Sequence, residues 1–265
     1  MPLHFAILGS LEIRTADQNI RITAPKQRAV LAALLLNPNH DVTTDQLIRY
    51  TWDHRPPATA QTTIQSYIYR LRQLLKPIPD VTLQTNIDSY ALHADPDTID
   101  LHHFHQHICD AGVHAETGEL QAAATNLRRA LGLWRGNALT GIPGDTITQQ
   151  ATILNNERIT AYEELFDTEI TLGHARSIIS ELHKTVANHP YHELFRAQLM
   201  HALYASGRQT EALQHYAHFR RRLRDTLGIE PGAELQHLHR AVLNHTAPAD
   251  ITAPARLRTT QIPIC

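Results

Sequence analysis

The segment from Pro56 to Lys76, PPATAQTTIQSYIYRLRQLLK, constrains the fold more than any other part of the chain. Its apolar side chains recur at i, i+4, i+7 and i+11, so they fall on one side of an α-helix. They are Ile64, Ile68, Leu71 and Leu75. Between His54 and Pro79 there is no Asp or Glu, while Arg and Lys supply four positive charges. The pattern predicts a helix with one buried face and an outer face that suits phosphates and base edges.

Short strands and helices are predicted on both sides of this segment. Pro25 suits the first position of a helix, Thr43 with Gln46 forms a capping box for a second, and Thr59 can cap the third helix described above. Alternating runs predict strands at residues 4–8, 11–15, 19–22, 81–85 and 90–93. The order predicts an α+β winged helix-turn-helix domain over residues 1–96.

Helical periodicity replaces the strand pattern after residue 100. Gly118, Gly173 and Gly207 each separate two predicted helices, and the last two are 34 residues apart, which is the tetratricopeptide period. About three helical hairpins fit this half, so we predict an all-α, tetratricopeptide-like domain over residues 97–245. Residues 246–265 have no periodic pattern and are predicted to form a disordered tail.

Composition and motifs exclude several classes of function. The formal net charge is −2, so any basic surface must be local, and no run of eighteen apolar residues or signal peptide is present. We therefore expect a cytoplasmic protein with no membrane partner. No GxGxxG, GxSxG, P-loop or zinc signature occurs, so we expect neither an enzyme nor a cofactor. His103 and His107 have zinc-binding spacing, but no cysteine or carboxylate pair completes a metal site.

Several segments, in the right order, resemble the Streptomyces antibiotic regulatory protein family. They include LGSLEIR, PKQRAVLAALLLN, WDHRPPATAQTTIQSYIYRLRQLL, ALGLWRGNAL and the long run from HPYHELF to ELQHLH. The resemblance covers almost the whole chain. It implies an OmpR-type DNA-binding domain and a bacterial transcriptional activation domain. It also implies paired binding to direct repeats in double-stranded DNA about one helical turn apart, and recruitment of RNA polymerase through the sigma factor at biosynthetic genes.

The resemblance assigns site residues by position. The segment from Thr62 to Arg72 matches the recognition helix of the family, with side chains that meet bases, phosphates or a guanine edge. Gln61 stands where relatives often carry arginine, and Asn86 occupies the place of an arginine in the family's wing. We therefore expect weaker attraction of the wing to DNA. The expected DNA-binding residues are Thr59, Gln61, Thr62, Thr63, Ser66, Tyr67, Tyr69, Arg70, Arg72, Thr85 and Asn86.

Two basic groups outside this helix have open interpretations. Lys26 and Arg28 begin the first helix, where they could contact a phosphate or polymerase or simply face water. Arg220, Arg221, Arg222 and Arg224 form a second cluster that either faces water or meets a partner. The competing function is a protein-interaction scaffold, in which the winged domain binds protein rather than DNA.

Overall fold

The computed structural model describes residues 3–15 and 18–251. Contacts divide these residues into two compact units. The first comprises residues up to Cys109 together with Arg129–Ile159, and the second comprises Asp110–Arg128 together with residues from Thr160 onward. The first unit thus extends past residue 96, where the sequence places a domain boundary.

A small antiparallel sheet begins the first unit. Strands β1 (His4–Ala6), β2 (Glu12–Arg14) and β3 (Asn19–Ile20) pair in the order β1-β2-β3. Phe5 lies opposite Ile13, and both side chains are fully buried. Helix α1 (Pro25–Leu35) follows, with Pro25 in its first turn. The sequence predicted these strands and this helix correctly.

The winged helix-turn-helix occupies the rest of this region. Strand β4 (Val42–Thr43) leads into helices α2 (Thr44–Trp52) and α3 (Ala60–Leu75), and strands β5 (Thr82–Thr85) and β6 (Ser89–His93) follow them. The three strands form one sheet in the order β4-β6-β5. Thr43 accepts from the backbone N–H of Gln46, and the Gln46 side chain accepts from the N–H of Thr43, so the predicted capping box is confirmed. Strand β4 was not predicted, because two residues are too few to show alternation.

Residues beyond 96 complete the first unit. The Asp100 side chain is 1% exposed and accepts hydrogen bonds from the backbone N–H groups of Ile7 (2.9 Å) and Leu8 (3.0 Å). The N–H of Arg135 donates to Leu8 O (2.9 Å), which extends the pairing of the first strand. Losing a buried acceptor of two N–H groups costs on the order of 1–3 kcal/mol for each unpaired group. Asp100 is therefore part of the folding core of the first unit.

Seven α-helices follow the winged region in the described chain. The predicted hairpin turns are confirmed, because Gly118, Gly173 and Gly207 adopt φ angles of 79°, 81° and 76°, a left-handed conformation that favours glycine. The architecture is the predicted one, an α+β winged helix-turn-helix followed by an all-α, tetratricopeptide-like region. The helices are α4 (Asp100–Glu116), α5 (Leu120–Gly132), α6 (Asp145–Thr171), α7 (Ala175–Asn188), α8 (Glu193–Ala205), α9 (Gln209–Leu227) and α10 (Ala233–Leu243).

The segment after α10 differs from its prediction. Thr246 O accepts from the Tyr204 hydroxyl (2.9 Å), Pro248 begins a short 3-10 turn, and Ile251 is buried. Residues 246–251 are therefore packed in the second unit rather than disordered, because the apolar Ile251 and two backbone carbonyls find partners there. The remainder of the predicted tail, residues 252–265, lies outside the described residues.

None of the helices in residues 3–15 and 18–251 combines the length and apolar character needed to cross a membrane.

Candidate nucleic-acid interface

Helix α3 has two chemically different faces. One packs into the first unit through Ala60 and the four predicted apolar residues Ile64, Ile68, Leu71 and Leu75, all of them buried. The outer face carries uncharged polar and basic side chains without a carboxylate. Its exposed residues are Gln61, Thr62, Gln65, Ser66, Tyr69, Arg70, Arg72 and Gln73. The amphipathic helix and its buried side are confirmed.

The start of α3 differs from the prediction. Thr59 precedes the helix with φ −92° and ψ 14°, and its side chain makes no capping hydrogen bond. Its carbonyl oxygen instead accepts from the Thr63 hydroxyl (2.8 Å). The first-turn N–H groups therefore carry no side-chain cap, and they add the positive end of the helix dipole to this surface.

A polar stripe runs along the outer face of α3. Thr62, Ser66 and Tyr69 are spaced at i, i+4 and i+7, and the Tyr69 side chain is 61% exposed. The Ser66 hydroxyl donates to Thr62 O (3.1 Å), which leaves its oxygen free to accept. Arg70 is exposed beside this stripe. Hydroxyl, phenol and guanidinium groups thus project together from one helical face.

Tyr67 is half-buried, and its ring takes part in packing. It stacks on Trp52 with ring centroids 6.4 Å apart, and the Lys26 ammonium lies 4.9 Å from the Trp52 centroid. Trp52 is itself half-buried. The Tyr67 ring is therefore occupied in joining α2 to α3.

Arg72 points back onto the protein. Its Nε and Nη2 donate to Leu83 O at 3.0 and 2.8 Å, and Nη2 also donates to the Thr85 hydroxyl at 2.8 Å. The resemblance placed Arg72 among the DNA-binding residues, and in the structure its Nε and Nη2 have acceptors on β5. Arg72 and Thr85 together fix the wing against α3.

The wing tip is acidic and apolar. Asn86 Nδ2 donates to Asp41 Oδ1 (2.6 Å), while the neighbouring Asp88 holds the start of α2 through its carbonyl, which accepts from Thr44 N (2.8 Å). Ile87 is 100% exposed between them. Two carboxylates at the tip oppose an approach to phosphates. Weak attraction of this wing to DNA stays a prediction.

Arg28 is also engaged within the first unit. Its Nη1 and Nη2 donate to the carbonyls of Gly141 (3.1 Å) and Thr140 (3.2 Å). These two bonds hold the guanidinium within the first unit. The sequence did not link Arg28 to residues so distant along the chain.

Sequence reasoning also missed Asp53. This residue ends α2 at φ 53°, and its Oδ1 accepts from Thr146 N (2.8 Å) at the start of α6. Burial raises its pKa, but the hydrogen bonds at the helix N-terminus outweigh this and lower the pKa below the ordinary aspartate value. Asp53 therefore joins the end of α2 to the start of α6, a long-range contact that no local motif reveals.

The histidine-rich stretch of α4 makes protein contacts. His103 Nε2 lies 2.8 Å from Asp97 O, and His105 Nε2 lies 2.9 Å from Glu157 Oε2. Among residues 3–15 and 18–251, no group of three or more His, Cys, Asp or Glu side chains could hold a metal ion.

Two family models match the chain. Residues 99–243 match the bacterial transcriptional activator domain, and residues 17–87 match a family described as the C-terminal part of transcriptional regulatory proteins. The second match spans α1 to β5, including the whole of α3.

Named regulators are similar to almost the whole chain. The regulatory protein DnrI of Streptomyces peucetius is 34% identical, with 94% of each chain covered. The regulatory protein AfsR of Streptomyces griseus is 35% identical over 98% of this chain, which spans 27% of the AfsR length. The solved structure of Mycobacterium tuberculosis EmbR, in complex with a low-affinity phosphopeptide, aligns with a TM-score of 0.86 at 34% identity. That alignment covers 94% of this chain and 68% of the EmbR chain.

Proposed function

Because the chain belongs to the Streptomyces antibiotic regulatory proteins, a family of transcriptional regulators, we propose that it is a sequence-specific, DNA-binding activator in the cytoplasm. The observation that carries the proposal is the acid-free outer face of α3, from which Thr62, Ser66, Tyr69 and Arg70 project together. A helix of this kind enters the major groove of duplex DNA and reads base edges there.

The proposed contacts divide into base readout and positioning. Thr62, Ser66 and Tyr69 offer hydroxyl groups to base edges, and Arg70 supplies a guanidinium for a guanine or a phosphate. The uncapped first turn of α3 offers backbone N–H groups to a phosphate. Gln61 and Thr63 flank the stripe. Tyr67 packs on Trp52 of α2, and Arg72 and Thr85 join α3 to the wing.

The assembly on DNA is proposed from family membership. We propose that two copies bind side by side to direct repeats about one helical turn apart, in promoters of biosynthetic genes. The helical region then recruits RNA polymerase, including its sigma factor. The tetratricopeptide-like hairpins support this role, since stacked helical hairpins present extended surfaces for protein binding.

Fluorescence anisotropy tests the DNA-binding proposal. Footprinting on promoters of the genes that neighbour its own supplies the site, and a scrambled duplex of equal length supplies the comparison. We expect Arg70→Ala to weaken specific binding. If Arg70 contacts a phosphate, the slope of log affinity against log salt concentration should fall by about 0.9. If Arg70 reads a guanine, the variant should instead discriminate less between bases at that position. Arg176→Ala removes an exposed arginine outside α3 and is the matched control.

The acidic wing tip favours a second candidate function. Asp41, Ile87 and Asp88 would suit a protein partner better than DNA, so the winged domain could serve a protein-interaction scaffold. Equal affinity for the specific and scrambled duplexes at physiological salt would support the scaffold and refute the activator. Promoter-dependent stimulation of purified polymerase in vitro would refute the scaffold.

A further inference from the structure

Within residues 3–15 and 18–251, a buried arginine of the second unit has no carboxylate partner. Arg196 of α8 is 4% exposed. Its Nε and Nη2 donate to Pro190 O at 3.3 and 2.9 Å, and its guanidinium lies 4.3 Å from the centroid of the Phe219 ring. A buried charge without a counter-ion is costly, so its surroundings are informative.

The third hydrogen bond of Arg196 involves a histidine. Arg196 Nη1 lies 3.4 Å from His215 Nε2. Arginine cannot accept a hydrogen bond, so His215 accepts and must be neutral. Burial, Arg196 and two neighbouring imidazoles lower the pKa of His215 to about 4, in agreement with this geometry. His215 therefore adds no neutralising charge.

Another guanidinium and two further imidazoles lie around Arg196 and His215. Burial and the nearby Arg222 lower the pKa of Arg196 to about 10, and Arg222 carries the same sign. The imidazoles of His183 and His218 are exposed on α7 and α9, and His183 stands 6.4 Å from the His215 ring, centroid to centroid. Two guanidinium groups and three imidazoles thus lie close together in the described part of the second unit, where no carboxylate pairs with Arg196.

Nearby carboxylates have other partners. Glu211, which faces His183, is paired with Arg208 (2.6 Å). Glu193 accepts from Gly232 N at 2.7 Å. Glu230 is paired with Arg220. None of these acids neutralises Arg196 within the described residues, so an acceptor from outside the chain would complete the cluster.

We propose that Arg196 and Arg222, with His183, His215 and His218 around them, form a binding site for a carboxylate side chain of an acidic peptide segment in a partner protein. Three hydrogen bonds use three of the five N–H donors of Arg196, and the remaining donors suit a carboxylate oxygen. Arg222 lies over the ring of Tyr191, with its Cζ 5.1 Å from the centroid. Tyr191 is 44% exposed and gives the site an aromatic rim for the peptide.

A carboxylate fits better than a phosphate because the neutral His215 adds no charge to the two guanidinium groups. Two guanidinium groups remain as permanent cations, and a planar carboxylate matches their fork geometry. This site goes beyond the proposed DNA-binding function and does not depend on it. A failure here would leave the DNA-binding proposal untouched.

The test measures binding of short fluorescein-labelled peptides to the full chain. The probe alternates glutamate and serine, and the controls are a glutamine and serine peptide and a phosphoserine peptide without carboxylates. We expect saturable binding of the glutamate peptide, weakened about tenfold by Arg222→Ala through loss of a charge-assisted contact. Arg221→Ala removes an adjacent exposed charge and should change binding less than about twofold.

A second variant separates binding from folding. Arg196→Lys keeps the positive charge but loses the planar fork, so it should weaken peptide binding while circular dichroism still reports a folded chain. Equal losses in Arg221→Ala and Arg222→Ala would overturn the proposal, because they indicate non-specific attraction. Absence of saturation, or binding of the phosphoserine peptide alone, would overturn it as well.

Discussion

Arg70 and Arg72 are two positions apart on α3 but have different surroundings. Arg70 is exposed beside Thr62, Ser66 and Tyr69, whereas Arg72 donates to the Leu83 carbonyl and the Thr85 hydroxyl. Sequence alone groups the two as basic residues. Their surroundings place Arg70 on the exposed polar face of α3 and Arg72 at the joint between helix and wing.

The substitution Arg72→Ala should therefore act on stability. We expect a loss of about 1–2 kcal/mol in the free energy of unfolding, since charge-assisted hydrogen bonds to Leu83 O disappear from a partly exposed site. Arg70→Ala should stay within about 0.5 kcal/mol. Urea denaturation of both variants measures the difference. A salt slope lowered by Arg72→Ala with unchanged stability would contradict this assignment.

Asn86 offers a gain-of-affinity prediction at the wing. The variant Asn86→Arg replaces the bond to Asp41 with a positive charge beside two carboxylates. If the wing approaches DNA, affinity should rise and the salt slope should increase by about 0.9 for one added phosphate contact. Asn86→Gln keeps the amide without the charge and is the control. An unchanged slope in Asn86→Arg would indicate that this wing stays away from the duplex.

At the scale of single elements, local signals predicted most helices and strands. Thr43 with Gln46 defined the start of α2, and Gly173 and Gly207 marked turns that require a positive φ. The apolar stripe fixed the buried face of α3. These features depend on residues a few positions apart, which is why the sequence reveals them.

Contacts between distant residues were beyond such reasoning. The bonds of Arg72 to Leu83, of Asp53 to Thr146 and of Arg28 to Gly141 depend on tertiary placement. The missing cap at Thr59 differs from these, because its carbonyl accepts from the Thr63 hydroxyl only four residues away. The sequence thus predicted the candidate helix but not which of its side chains are already engaged.

Glu169 joins three helices of the second unit. Its Oε1 accepts from Arg128 of α5 at 2.7 Å, and its Oε2 lies 2.8 Å from His174 Nδ1 before α7. Burial raises the pKa of Glu169, but the bonds to His174 and Arg128 prevail and lower it below the ordinary value. The ionised form is therefore favoured in the folded protein.

This shift predicts a pH dependence of stability. Because the pKa of Glu169 is lower in the folded than in the unfolded chain, its ionised carboxylate stabilises the fold at pH values above the unfolded pKa of 4.5. This stabilisation is lost as the pH falls through the folded pKa. Glu169→Gln should cost about 1–3 kcal/mol at pH 7 and flatten the pH dependence below 4.5. Denaturant titrations at several pH values measure both effects. Glu181→Gln, at a more exposed partner of Arg128, should cost under about 1 kcal/mol; similar losses in both variants would contradict the prediction.

At the scale of the whole molecule, the first compact unit is discontinuous in sequence. It includes Asp100, which binds the N–H groups of Ile7 and Leu8, and the segment from residue 129 to 159. Winged-helix residues and later residues therefore share one core.

A fragment of residues 1–96 should consequently fold poorly. It lacks Asp100 and the carbonyl acceptors of Arg28, so buried N–H groups lose their partners. A fragment of residues 1–159 keeps both, and we expect it to melt cooperatively, bind the specific duplex and fail to stimulate polymerase. Thermal melts, anisotropy and in vitro transcription test the two fragments. Equal melting temperatures for both would show that the later residues are dispensable.

The tie between Asp100 and the first strand also limits how such regulators can be recombined. A chimaera that grafts the winged helix of this chain onto the helical region of a relative, cut at residue 96, would place a foreign residue under Ile7 and Leu8. A graft that also carries residues 97–109 and 129–159 transfers the complete first core. We therefore expect a graft to transfer DNA specificity between relatives only when it includes every segment of the first core, not when it is cut at a single position in the sequence.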